Sequence, residues 1–219
     1  MATEKVYELQ QRHQREINRI SDSDRNTRKR GLQKLLETLP WSSSTERDAL
    51  SVLCLQTLFP PMLQGVSDQV EKCRELSLAL LTNTVKLCAP LELSKAVELV
   101  NILCTRVNDT PFPETGEEIR LQVLDLLYLL LSSPVSTQLL EAVASTVLVA
   151  MGKALLDSFP AVKRTCCDIT LLFCIHTPEE VRTNFKVLLK GCCQNALHQH
   201  HKVRTASITV LYTSVRQTF

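Results

Sequence analysis

Glycine and aromatic residues are scarce. The chain of 219 residues holds 5 glycines, and Phe, Trp and Tyr together make up only 5%. All-β domains draw on both, glycine for turns and aromatics for pleated faces, so the composition leans toward helix. A dominant charge is missing too. The net charge is +2, which calls for neither nucleic acid nor an anionic membrane as the main partner. No stretch reaches the roughly 18 uninterrupted apolar residues of a membrane span. The best, 137–156, contains Gln138, Glu141, Ser145, Thr146 and Lys153 and reads as a buried helix. The opening MATEKVYELQQRHQREINRI is polar and lacks the apolar core of a secretory signal. P-loop, GxGxxG, GxSxG and HExxH motifs are all absent, so no catalytic residue is assigned.

Apolar residues are plentiful, at 44%, enough for a continuous core. Nine of them are cysteines, an odd number with no CxxC pair, each in an apolar helical context such as LSVLCLQTL. Reduced thiols used as small core hydrophobes account for that pattern. A metal reading would draw on His198, His200 and His201 with Cys192 and Cys193. Adjacent cysteines on a helix diverge by about 100°, so they do not converge on one ion, and no metal or cofactor is expected. A Cys174–His176 nucleophile pair fails similarly, because residues two apart on a helix face different sides.

The main signal is a repeat. TRKRGLQKLL, CRELSLALLT, IRLQVLDLLY, VKRTCCDITL and VRTASITVLY begin at Thr27, Cys73, Ile119, Val162 and Val203, at offsets of 46, 46, 43 and 41. HEAT and armadillo units recur every ~40–47 residues. Each segment reads as the second helix of a pair. From Ile119, the residues Val123, Leu124, Leu126, Leu127 and Leu130 line one helical face. Gly31, Ser77, Cys166 and Ser207 recur as small residues that admit close packing, and the bulkier Val123 departs from the pattern.

First helices are expected at about 4–20, 45–66, 93–107, 137–156 and 179–197. Ser44-Thr45-Glu46, Ser136 or Thr137, and Thr177-Pro178-Glu179-Glu180 supply start signals. Pro60-Pro61 falls inside the second of these and should kink it. Asp22, Asp24, Asp68, Asp109 and Asp157 recur in the turns within pairs, placed to cap the next helix or to meet a basic residue of the adjacent repeat. The fifth turn has His198 instead. The expected architecture is an all-α solenoid of about five antiparallel helix pairs, with repeats at 4–40, 45–89, 92–133, 137–176 and 178–219, forming one array without a domain boundary. An apolar last helix with no polar capping repeat suggests that the array continues.

One basic residue recurs per repeat: Arg28, Arg74, Arg120, Lys163 and Arg204. Pairing with turn acids of neighbouring repeats is one reading. The other is a protein-binding surface on the second-helix side, drawing on these residues together with Lys29, Arg164 and Lys202. The run Arg25 to Arg30 could meet phosphate or RNA, but Asp22, Asp24 and Glu37 flank it and no aromatics interleave, so a solvated helix face accounts for it.

Two segments are more specific. DSFPAVKRTCCDI (157–169) and HQHHKVRTASITVL (198–211) resemble the N-terminal HEAT array of the axonemal dynein preassembly factor of the HEAT-repeat class, which has similar DPFPxVKR and HxHxKVRxAxI segments at this separation. INRISDSDRNTRKRGLQKLLETL (17–39) is similar to that family's first repeat, whereas 90–155 matches only in period and pattern. The resemblance implies a non-catalytic cytoplasmic factor of ciliated or flagellated cells. Its partners would be axonemal dynein chains and other dynein assembly factors or chaperones, with no nucleic acid, membrane or small-molecule ligand. A general HEAT adaptor in trafficking, translation or kinase regulation is the alternative, and a cysteine-based redox or metal protein a more distant one.

Overall fold

A computed structural model describes residues 2–133 and 137–218. They form two compact units, Met1–Leu91 and Glu92–Phe219.

The first unit contains α1 (Ala2–Arg19), α2 (Arg25–Thr38), α3 (Arg47–Leu53), α4 (Phe59–Gly65) and α5 (Glu71–Cys88). α1 buries Leu9, His13 and Ile17, a stripe at helical spacing that Ile20 continues just past its end, and the rest of the helix is largely polar. α2 starts where Asp24 accepts the Thr27 backbone N–H at 2.8 Å. α3 starts later than expected, after Glu46. Ser43, not Ser44 or Thr45, accepts the Glu46 backbone N–H, at 3.3 Å.

The proline kink takes the form of a π-helical turn, Cys54–Leu58, between α3 and α4. Pro60 and Pro61 carry no N–H, and their rings crowd carbonyls four residues back. The wider turn relieves this: the Phe59 N–H reaches back five residues to the Cys54 carbonyl. α1 packs on α2 and α3, and α5 on α2 and α4. Leu35, Leu50, Leu53, Leu58, Met62 and Leu81 are fully buried among them. A Cβ on Gly31 would lie 2.7 Å from the Arg19 Cβ, so the small residue read from the repeat does set the α1–α2 approach.

The second unit contains α6 (Leu93–Thr105), α7 (Glu117–Ser132), α8 (Thr137–Ala154), α9 (Pro160–His176), α10 (Pro178–Asn195) and α11 (His201–Thr218). The first helices α6, α8 and α10 pack in sequence, as do the second helices α7, α9 and α11. All five residues assigned to the inner face of α7 are buried. Thr177 does not cap α10; its hydroxyl donates back to the Phe173 carbonyl at 3.3 Å, leaving Pro178, Glu179 and Glu180 as the start signal. Thr137 is the first residue of α8, and Ser136 lies outside the described residues.

All nine cysteines are unpaired thiols. Seven are buried, Cys88 is half-buried and Cys193 is exposed. Burial pushes the thiols of Cys54, Cys104 and Cys192 up to about 12 and that of Cys167 to about 11. Thiolate is the reactive form, so these groups are inert while folded. A thiol-specific reagent should therefore label Cys193 quickly, Cys88 slowly and the other seven only in denaturant; three or more fast thiols in the native protein would contradict this packing. Among the described residues no group of three or more His, Cys, Asp or Glu is placed to hold a metal ion, and no helix is long and apolar enough to cross a membrane.

Candidate functional site

The recurring basic residues sit at the N-terminal ends of the second helices. Each arginine holds the turn of its own pair. Arg28 donates to the carbonyls of Asp22 and Ser23, Arg74 to those of Asp68 and Gln69, Arg120 to those of Glu114 and Thr115, and Arg204 to those of His198 and Gln199. The carbonyls lie six and five residues before the arginine in every case. The residue six before also orders the turn, accepting the backbone N–H two residues on. Asp22, Asp68, Glu114, Asp157 and His198 do this at 2.8 to 3.1 Å. The third turn departs from the expectation. Asp109 bonds only to the next residue, and Glu114, concealed in PETGEE, does the work of the repeat. Arg106 pairs with that Glu114 at 3.2 Å, and Phe112 lies under the Arg120 guanidinium at 5.0 Å.

The same fork reaches forward to the next repeat. Arg28 meets Asp68 with Nε to Oδ2 at 2.7 Å and Nη2 to Oδ1 at 3.0 Å. Burial raises the Asp68 carboxyl, but the Arg28 bond, the Val70 N–H and the charges of Arg28 and Arg74 outweigh it and hold it below its ordinary value. Arg120 meets Asp157 identically, at 2.6 and 3.0 Å, with side chains 7% and 0% exposed. Arginine is required because a planar guanidinium serves both carboxylate oxygens and the turn carbonyls at once.

The fourth step breaks the rule. Lys163 has one ammonium, and its counterpart in the next turn is His198. Lys163 donates instead to Asn195 Oδ1 at 2.8 Å, and Asn195 Nδ2 donates to the Leu155 carbonyl at 2.8 Å. His198 Nδ1 accepts the His200 N–H at 3.1 Å, so the ring is neutral with its proton on Nε2. Partial burial, then the charges of Lys163, His200 and Arg204, hold the His198 pKa below its ordinary value. The unfolded chain thus takes up the proton first, and stability falls as pH drops below about 6.5. Replacing this ring by the acid of the other turns, His198→Asp, should raise the thermal midpoint by about 2–4 °C and abolish that part of the pH dependence. Thermal melts between pH 5 and 8 measure both; an unchanged midpoint with an unchanged pH profile would contradict the assigned role.

A basic cleft of about 320 Å³ lies between the first turns of α9 and α11. Arg164, His200, His201 and Lys202 line it above Pro160 and Ala161, and none of its lining residues is acidic. A cleft of the first unit, about 850 Å³ and formed by the turns themselves, is lined by both signs, with Asp24 and Asp68 beside Arg25 and Arg28. Of the residues proposed from sequence, Arg164 and Lys202 line the α9–α11 cleft, both exposed, whereas half-buried Lys163 and Arg204, one and two positions away along their helices, do not. Lys29 is exposed on α2; Arg28, Arg74 and Arg120 are occupied within the fold. His200 and His201 were not singled out for binding. The available signal was charge at the helix start: α5 opens with Glu71-Lys72 and α7 with Glu117-Glu118, whereas α11 opens with His201-Lys202.

Further along the second helices of this unit, Tyr128, Leu171 and Tyr212 share one register position on α7, α9 and α11, and each is at least partly exposed. Ile208 and Val215 of α11 are 52% and 54% exposed, although Leu124 and Leu131, their counterparts on α7, are buried. Such an apolar face suits packing against further polypeptide.

The repeat geometry is that of known solenoids. A crystal structure of computationally designed armadillo repeat proteins for modular peptide recognition matches 91% of the chain and 80% of its own length, with a TM-score of 0.67 at 11% identity. An engineered protein matches 92% and 78%, with a TM-score of 0.66 at 11% identity. At these identities the likeness establishes the fold alone, an armadillo/HEAT-like α-solenoid. Dynein axonemal assembly factor 5 of Xenopus laevis is 29% identical over 204 residues, 92% of this chain and 24% of that protein. The protein of that name in Mus musculus is 32% identical over 165 residues, 73% and 19% of the respective chains, and the Homo sapiens one 30% over 157, 69% and 18%. The chain thus spans about a quarter or less of the length of the curated relatives it matches. The family described as Dynein axonemal assembly factor 5-like, TPR repeats, matches residues 19–218. TPR units recur every 34 residues, so the spacing of 41–46 places these repeats with the HEAT and armadillo kind. That match takes in the second helix of all five pairs and the turns that order them, and the chain belongs to the Dynein axonemal assembly factor 5-like family.

Proposed function

We propose that the chain is a non-catalytic scaffold in the assembly of axonemal dynein. It would act in the cytoplasm of ciliated or flagellated cells, holding dynein chains, other assembly factors or chaperones before the arms are delivered. The family match over residues 19–218 carries this reading, because it covers the repeat array rather than an incidental segment. The solenoid supports it physically. Stacked helix pairs leave long surfaces for other polypeptides, and each repeat needs only its neighbours to fold. Depletion of the protein in a motile ciliated cell line is the test. Electron microscopy of axonemes should then show dynein arms missing while microtubule doublets persist; a full set of arms would overturn the reading.

A further inference from the structure

The cleft between α9 and α11 is lined by basic side chains from both of its walls and by no acid. In the first turn of α11, His201 stands at the position of Glu71 in α5 and Glu117 in α7, and Lys202 at that of Lys72 and Glu118. Arg164 stands exposed on the facing helix. His201 and Lys202 lie at a helix start, where the backbone dipole favours negative charge. Asp125 and Asp168 lie near Arg164 on the α7 and α9 side. Asp125 accepts a bond from Thr165 at 3.4 Å, burial raises both carboxyls, and neither lines the cleft. A cationic cleft lined against the interest of its own helix is complementary to an anion supplied from outside.

We propose that this cleft receives an acidic segment of a partner protein, with Asp or Glu carboxylates seated among Arg164, Lys202, His200 and His201. An extended peptide rather than a folded patch suits a cleft of about 320 Å³ between two packed helices. The adjoining exposed face, with Leu171 and Tyr212 at one register, offers apolar contact beyond the charged end. The proposal rests on the reading of the chain as a protein-binding scaffold, but it specifies chemistry that can be tested without any dynein component.

The test uses the full chain and a fluorescein-labelled octapeptide of alternating Asp and Glu, followed by fluorescence anisotropy at physiological salt. Binding is expected, and Arg164→Glu with Lys202→Glu should weaken it by at least about tenfold. Both side chains are exposed, and a thermal melt confirms that the variant is folded. Arg25→Glu with Lys29→Glu in the first unit should change the affinity less than about twofold. In a titration followed by NMR, the His200 and His201 ring signals of the unaltered chain should shift. Equal binding of the Asn/Gln version of the peptide would overturn the proposal. So would equal loss from the first-unit variant, or equal binding of an eight-nucleotide oligouridylate. If the peptide binds as expected while dynein arms survive depletion, the scaffold role in dynein assembly fails and the cleft assignment stands. The reverse outcome removes the cleft alone.

Discussion

Asp157→Ala should destabilise the 92–219 unit by about 3–5 kcal/mol, because it strands a buried arginine. Arg120 is almost fully enclosed and gives two bonds to this carboxylate, which also accepts the Phe159 N–H at 2.8 Å at the start of α9. Removing the acid leaves a charge without its partner and a helix without its ordered entry. Urea unfolding followed by circular dichroism measures the loss; a change below about 1 kcal/mol would mean that the pair is incidental. Replacing both partners, with Arg120→Met and Asp157→Leu, should recover much of the loss, since the penalty lies in the unpaired charge. Asp68→Ala offers a graded comparison. Its pair with Arg28 keeps 10% and 18% of the side chains exposed, and water can take over part of the role. A smaller loss, about 1 kcal/mol, is expected there.

Gly152→Val is the second large effect, at the upper end of about 1–3 kcal/mol. A Cβ at this position would lie 2.7 Å from the Val187 carbonyl oxygen and 3.2 Å from the Val187 Cβ. The first of these obstacles is backbone and has no rotamer to swing aside, so α8 and α10 must move apart. The stack itself is loosened, beyond a single contact. One repeat further on, the corresponding residue is Cys193, which is exposed. Cys193→Val should therefore stay within about 0.5 kcal/mol of the unaltered protein. Equal losses from both substitutions, in the same unfolding experiment, would contradict the assigned packing.

The helix pairs were legible because two constraints repeat together. A small residue and a basic residue recur at fixed positions, and the apolar stripe from Ile119 places the same five residues inside that the structure buries. The arginine ladder was half legible. Arg28 with Asp68 and Arg120 with Asp157 follow from one cation per helix and one acid per turn. Glu114 escaped because the third turn is long and contains Asp109, a better-looking acid in the wrong place. Its role depends on the residue two ahead, where Gly116 supplies the N–H. The π-helical turn was legible only as a kink, since Pro60 and Pro61 dictate a disturbance and not its form. Capping was misread at Ser44-Thr45 and at Thr177 because several hydroxyls lie within reach of each helix start, and geometry chooses among them. The cleft was legible in Arg164 and Lys202 but not in its histidines. The contrast lies in His201, which stands where α5 and α7 open with Glu71 and Glu117, and it needs the repeats aligned on the turn residue rather than on the apolar stripe.

A scaffold of axonemal dynein assembly, as proposed for this chain, must carry its partners with it. Purification of the tagged, folded chain from cells building motile cilia, with mass spectrometry of what accompanies it, tests this most directly. Axonemal dynein chains, other dynein assembly factors or chaperones should be enriched over a tag-only control. A folded chain recovered with none of them enriched would contradict it.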